Sequence, residues 1–371
     1  MKFKGLTFII AIAFFGALGL APQGSPQAST ITTFDAPGAG TGPGQGTFAF
    51  AISPTGAITG DYADANGVAH GFVRAPDGTF TTFDAPGAGA AAHQGTIPLS
   101  INPLGTITGL FIDGSFVYHG FMRALDGTLT TFDAPDAGST TSVFGQGTHS
   151  ENVNPAGVIA GFSVDANNVL HGFLQVGGGT ISTFDAPGAG NAPGQGTKTA
   201  GVDGINSAGA ITGSYRDANN VFHGYVRAPD GSFTTFDVPG SLFTASAGIN
   251  PAGATTGEYR DANNVFHSFL RTPDGTLTTF DAPGAGTAPF QGTFVQNINP
   301  ASVTTGMYTD SNFVEHGFVR TRDGTITTFD APGAGSGAGQ GTCASSNNPA
   351  GAITGFYADA NFVYHGFLRS P

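Results

Sequence analysis

From residue 30 onward the chain alternates short β-branched and aromatic stretches with clusters of Gly, Pro, Asn and Asp. No segment there sustains a helical period, so the pattern predicts strands joined by tight turns. The first full stretch predicts four strands: Thr47–Ser53, Ala57–Ala63, Val68–Ala75 and Thr79–Ala85. Pro54-Thr55-Gly56, Asp64-Ala65-Asn66-Gly67 and Pro76-Asp77-Gly78 supply the turns, each through a fixed φ, a side-chain hydrogen bond or a positive φ. A longer Gly-rich loop, Pro86 to Gly95, leads onward.

The block then repeats. A Thr-Phe-Asp-Ala/Val-Pro phrase places its Asp at 35, 84, 133, 185, 237, 281 and 330, and a His-Gly/Ser-Phe/Tyr phrase places its His at 70, 119, 171, 223, 267, 316 and 365. Four antiparallel strands recurring every 44 to 52 residues predict an all-β, seven-bladed β-propeller. The units lie near 46–86, 95–135, 147–187, 196–239, 246–283 and 292–332; the last joins 341–371 to 31–37. The chain enters on a fourth strand, Ile31–Pro37, and leaves on a third, Val363–Arg369. Pairing the two ends completes the last blade, closes the ring and removes its open seam. The repeat thus predicts one propeller domain over 29–371.

Residues 1–28 read as a signal peptide and spacer. Lys2 and Lys4 precede an apolar run from Leu6 to Leu20, with cleavage candidates after Ala17-Leu18-Gly19 or near Ala28. The expectation is export, with no membrane span once the signal is removed.

The three-residue turn between third and fourth strands sets the register: Ala75 faces Thr79, Phe72 faces Thr82, and His70 faces Asp84. The same count pairs His119 with Asp133, His171 with Asp185, His223 with Asp237, His267 with Asp281, His316 with Asp330 and, across the termini, His365 with Asp35. Sevenfold recurrence without a serine or cysteine nucleophile motif reads as a structural brace, not a triad. In this reading Asp orients the imidazole, which holds a neighbouring backbone group. Arg follows four residues after the His in six units, whereas the third has Gln175 and also loses the turn Asp. That joint loss predicts a surface Arg–Asp pair near the turn.

Asp165-Ala-Asn167, Asp217-Ala-Asn219 and Asp261-Ala-Asn263 resemble the opening of a calcium loop. They lack its later Gly and Glu, and Asx-turn chemistry explains the same residues, so calcium stays a candidate and no other cofactor is indicated. Gln45, Gln94, Gln146, Gln195, Gln291 and Gln340 recur in the loops between units. They are candidates for sugar hydroxyls or for satisfying loop backbone. Symmetry breaks at 136–149, 175–179 and 198–204 carry Asp136, His149, Lys198 and Asp203. Cys343 stands where other units have Phe48, Ile97 or Phe294 and reads as a buried small hydrophobe.

Charge narrows the partners. With 12 Lys+Arg against 25 Asp+Glu the net charge is -13, which argues against nucleic acid. Three Asp and one Arg per unit account for nearly all of it, so the acidity is spread around the ring.

At Ile52-Ser-Pro-Thr-Gly-Ala-Ile-Thr-Gly60 followed by His70-Gly-Phe72, the unit resembles the extracellular HAF-repeat proteins of bacteria. Ile249-Asn-Pro-Ala-Gly253 and Ile298-Asn-Pro-Ala-Ser302 match its Ile-Asn-x-x-Gly strand more closely, apart from Ser302. This chain has Gly or Ser where the family has the Ala of His-Ala-Phe. The resemblance covers about 31–371 and implies export and propeller-like repeats, with no catalytic residue. The expectation is a monomeric secreted binding or structural module for polysaccharide or a cell-surface protein. The alternative is a carbohydrate-active lyase or hydrolase with its site on the loop face.

Overall fold

The computed structural model describes residues 29–143, 145–201 and 203–371. The signal peptide and spacer at 1–28 lie outside the described residues. Those described contain no helix; they form 28 strands in one propeller-like all-β arrangement. No helix among them is long and apolar enough to cross a membrane.

Each unit is an antiparallel meander of four strands. In the first these are Gly46–Ile52, Ile58–Ala63, Ala69–Arg74 and Phe80–Phe83. The third and fourth pair with Phe72 opposite Thr82 and Arg74 opposite Phe80. Ala75 N–H closes the turn on the Thr79 carbonyl at 2.8 Å. The first strand starts one residue before the sequence expectation because Gly46 pairs twice, with Ala63 in its own unit and with Tyr364 in the preceding one. A Cβ there would sit 2.0 Å from the Tyr364 carbonyl oxygen, so only glycine permits the approach.

The termini complete the last meander: Thr30–Phe34 pairs antiparallel with Tyr364–Ser370, Ile31 opposite Arg369 and Phe34 opposite Gly366. First strands sit innermost, where their ends converge on one axial cavity. Fourth strands are short, with a mostly exposed pattern.

Between units the packing repeats. Phe72, Phe121, Phe173, Tyr225, Phe269, Phe318 and Phe367 are fully buried at one third-strand position. The Thr of each Gln-Gly-Thr segment accepts the amide proton that follows the previous unit's Thr-Phe-Asp, as in Ala85 N–H to Thr96 Oγ1 at 2.9 Å. Ala36 to Thr47 repeats this bond across the closure. The Gly of His-Gly-Phe also has a packing cause. A Cβ at Gly366 would come within 2.3 Å of the Phe34 ring, which lies over that backbone.

The fourth unit departs from the pattern. Its first strand ends early, at Gly196–Thr199. Ile205 then resumes as an isolated bridge to Ile211. Between them the chain turns toward the axis: Asp203 takes a positive φ of 63° and its carbonyl accepts from Ile249 N–H in the next unit.

Candidate functional site

The turns between second and third strands and the loops between units meet on one face. Phe290 N–H donates to the Asn264 carbonyl at 2.7 Å, Gly339 N–H to Phe313 at 2.8 Å and Gly44 N–H to Phe362 at 2.8 Å.

The recurrent His sits between two carboxylates on this face. His70 Nδ1 lies 2.9 Å from Asp84 Oδ1, and its Nε2 faces Asp64 Oδ2 at 3.9 Å. The same Nδ1 contact joins His119 to Asp133, His171 to Asp185, His223 to Asp237, His267 to Asp281, His316 to Asp330 and His365 to Asp35, at 2.9–3.0 Å. The imidazole's second nitrogen therefore looks toward the turn Asp, not toward backbone as the brace reading supposed. A Tyr or Phe of the second strand stacks on the ring in six units, as Tyr62 does on His70 at 5.1 Å between centroids. The third unit has Ser163 there, and the space admits Asp136 where neighbouring loops have Gly. Ser163 Oγ donates to Asp136 Oδ1 at 2.7 Å.

The turn carboxylates close on themselves. Asp217 Oδ1 accepts from Asn219 N–H at 2.9 Å and Val221 N–H at 2.8 Å, while Asn219 Nδ2 donates to Oδ2. Asp165 with Asn167 and Asp261 with Asn263 repeat this set. The Val221 and Val265 amides lead in holding the Asp217 and Asp261 carboxyls below the usual range. These bonds are those of an Asx turn. No group of three or more His, Cys, Asp or Glu among the described residues is arranged to hold a metal ion.

The six Gln side chains turn inward. Gln45 Oε1 accepts from Gly42 N–H at 2.8 Å and its Nε2 donates to the Ala65 carbonyl at 2.9 Å. Gln146, Gln195 and Gln340 likewise bond loop backbone at both ends of the amide. Gln94 and Gln291 accept from Ala91 and Ala288 N–H. Of the two roles read from the sequence, the geometry is that of backbone satisfaction; these amides are not presented to a ligand.

The Thr79 and Thr128 bonds lead in holding the Asp77 and Asp126 carboxyls low, and the charges of Arg74 and Arg123 are the least of the causes. The expected Arg–Asp pairing thus persists as a charge interaction, but the guanidinium makes its close contact elsewhere. Arg74 lies over the Phe34 ring at 4.9 Å, Arg123 over Phe83 at 5.0 Å and Arg271 over Phe236 at 4.8 Å. Each ring belongs to the preceding unit, so these cation–π contacts tie unit to unit. Gln175 makes no such stack and donates to the Gly179 carbonyl instead.

Among the unrepeated residues, His149 is buried between Tyr118 and Phe162, both 4.4 Å away by centroid. Its Nε2 donates to the Gly145 carbonyl, and burial pulls its pKa down to about 4. Lys198 lies 5.0 Å from the centre of the same Phe162 ring. Burial pushes Glu151 up to about 7 against the pull of Lys198, pushes Glu258 up to about 7, and pushes Asp61 up to about 8. His149, Lys198 and Glu151 thus gather on two neighbouring first strands, whereas Asp136 and Asp203 lie elsewhere. Cys343 is buried, and its thiol is pushed up to about 12.

Sequence reasoning missed four residues on the loop face. Phe116, Phe313 and Phe362 occupy the fourth turn position, where other units have Gly67, Asn168, Asn220 and Asn264. They take φ of 60°, 61° and 58° and are 42%, 42% and 41% exposed. Phe290, in the loop beside Asn264, has φ 67° and is 58% exposed. A bulky side chain with positive φ is uncommon, and one that also faces water is unfavourable on both counts. The signal was a Phe aligned with Gly and Asn in a turn.

No protein-family model matches the sequence, and no curated protein matches it. Among solved structures, a prolyl endopeptidase aligns with 89% of this chain at 9% identity and a TM-score of 0.51, covering 55% of its own chain. A puromycin hydrolase S511A mutant aligns with 85% at 11% identity and TM-score 0.52, covering 50% of its own chain. SapL1 lectin, in complex with alpha methyl fucoside, aligns with 78% of this chain and 96% of its own at 11% identity and TM-score 0.46. The chain spans about half the length of the first two, and the likeness to them is one of fold.

Proposed function

We propose that residues 29–371 form a seven-bladed β-propeller, exported as in the HAF-repeat proteins it resembles. It acts as a monomeric module that binds neutral polysaccharide on its loop face. Phe116, Phe313, Phe362 and Phe290 are the platforms, each offering an apolar ring against which the C–H face of a sugar stacks. The observation that carries this reading is their backbone: left-handed φ costs about 1–2 kcal/mol per residue, and Gly or Asn serves the same turn elsewhere. Exposed aromatics gathered on one loop face are the mark of an interaction surface. The low charge of the chain suits an uncharged polymer.

The test is a binding screen of the purified protein against neutral, acidic and basic polysaccharides, with calcium and with chelator. Saturable binding to neutral polymers in both conditions is expected. Absence of binding to any of them would remove the reading, and loss under chelator alone would return calcium to the Asp-Ala-Asn turns. A second reading, a polysaccharide hydrolase or lyase, is favoured by Glu151 and Glu258, acids whose carboxyls burial pushes up to about 7. It requires new chain ends in digests by the wild type and none in digests by Glu258→Gln or Glu151→Gln.

A further inference from the structure

On the face opposite those loops, the first strands end around a cavity of about 150 Å³. Its collar is aliphatic: Ile52, Ile101, Val153, Ile205, Ile249 and Ile298 hold equivalent positions. The Asn residues of the rim are already spent on structure. Asn102 Oδ1 accepts from Leu104 and Thr106 N–H, and its Nδ2 donates to the Asn154 carbonyl. Asn154, Asn206, Asn299 and Asn348 repeat this around the ring, ending at the Ser53 carbonyl.

Two lining residues break the pattern. Asn347 takes the seventh place in the aliphatic collar. Its Nδ2 donates to the Val303 carbonyl, whereas its buried Oδ1 has no partner. Asp203 enters from the fourth unit's interrupted strand and reaches across to accept from Asn297 Nδ2. Asn297 Oδ1 is also buried without a partner. Asn297 is the Asp203 carboxylate's hydrogen-bond partner among the described residues, and no cation there opposes its charge. Burial accordingly raises its pKa.

The cup therefore combines a wall of six aliphatic side chains with an acid that no cation opposes and, at the seventh position, the unpaired amide oxygen of Asn347. It contains acceptors without matching donors. Its size suits one ring, since an engineered cavity of about 150 Å³ in another protein holds benzene.

We propose that this cup binds a small organic ammonium ion, its apolar body against the aliphatic collar and its N–H groups on Asp203 and the Asn347 amide oxygen. The site is independent of the polysaccharide reading and lies on the other face. Titration calorimetry with benzylammonium and its neutral isostere benzyl alcohol tests it. The ammonium is expected to saturate one site and to bind at least about tenfold more tightly than the alcohol, as for hydrogen bonds to a charged group. Asp203→Asn should erase that preference and leave the alcohol within about twofold. Because Asp203 belongs to the segment that interrupts the fourth unit's first strand, a second variant, Ile249→Phe, fills the cup and keeps the acid; it should abolish binding of both compounds. Equal affinity for ammonium and alcohol in the wild type overturns the proposal. So does the absence of saturable binding, or unchanged binding by Ile249→Phe.

Discussion

The loop face carries two kinds of turn built on one frame. In the third, fourth and fifth units the turn reads Asp165 to Asn168, Asp217 to Asn220 and Asp261 to Asn264; in the second, sixth and seventh it ends on Phe116, Phe313 and Phe362. The bonds to the leading Asp are the same, although Asn168 and Asn220 also accept from Gln146 and Gln195 Nε2. Asp113 Oδ1 accepts from Ser115 and Val117 at 2.8 and 2.9 Å, as Asp261 does from Asn263 and Val265 at 2.9 and 2.8 Å. The φ of the last residue differs by only a few degrees, 63–65° with Asn and 58–61° with Phe. The leading Asp therefore sets the turn, and its fourth position is free for another use. Because units neighbour one another in chain order, the Asn turns form one arc of the ring. The Phe turns, interrupted by Gly67 and extended by Phe290, form the other. The face is symmetric in its frame and lopsided in its chemistry.

The strongest way to break this comparison is to remove the ring that carries both arcs. Deleting Ile31–Pro37 strips the last unit of its fourth strand, of the Phe34 stack under Arg74 and of the Ala36–Thr47 bond. The expected loss exceeds the roughly 3–5 kcal/mol of a single buried Phe→Ala change, read as a collapsed or non-cooperative calorimetric transition. A melting curve like that of the parent would refute closure by the termini.

A smaller effect should strike both arcs alike. Asp261→Ala and Asp310→Ala each leave two turn amides without their acceptor, at about 1–2 kcal/mol in chemical denaturation. A large difference between them would show that the frame is not shared. Acid should act in the same sense. The carboxyls of Asp217 and Asp261 in one arc, and Asp310 and Asp359 in the other, are held below the ordinary 3.8. Their contribution is present above that value and is lost as pH falls through the lowered folded pKa. Protection of the Val221 and Val314 amides, measured against their intrinsic exchange at each pH, should therefore fall together below about pH 4.

Asp61 runs the other way. Its folded pKa is raised, so its contribution is intact below the unfolded value and is lost as pH rises toward about 8. Asp61→Asn should raise the melting temperature more at pH 8 than at pH 5, and an equal change at both would contradict that placement.

The smallest stability change sharpens the comparison most. Phe313→Asn should stabilise by about 1 kcal/mol or less, by relieving a bulky left-handed residue, and Asn220→Phe should cost a similar amount. If both variants were destabilised, the Phe would be serving the fold.

Much of this frame was legible in the sequence, because tight turns count residues. The Pro76-Asp77-Gly78 turn puts Phe72 opposite Thr82, and the contact of His70 with Asp84 follows two residues on. The displaced ends likewise announce their pairing. Contacts between units were not legible. The ring under Arg74 is Phe34, at the far end of the closure, and no local count points to it. The Gln45 amide reaches the Ala65 carbonyl because a loop folds under a turn, a three-dimensional fact. Exposure was hidden too: an alignment of the units shows Phe116 beside Asn168, yet only the fold shows both on the surface at the same φ. The path of Asp203 to Asn297 was hidden as well, because it joins residues 94 positions apart in the sequence.

The most direct test of the aromatic arc is paired binding and melting of the Phe116→Asn, Phe313→Asn, Phe362→Asn triple variant, alongside wild type, on a neutral polysaccharide that the wild type binds. The account predicts binding weakened by at least tenfold, on the order of 1.4 kcal/mol, with a melting temperature equal to or above that of wild type. Undiminished binding, or a loss of binding that tracks a loss of folding, would contradict it.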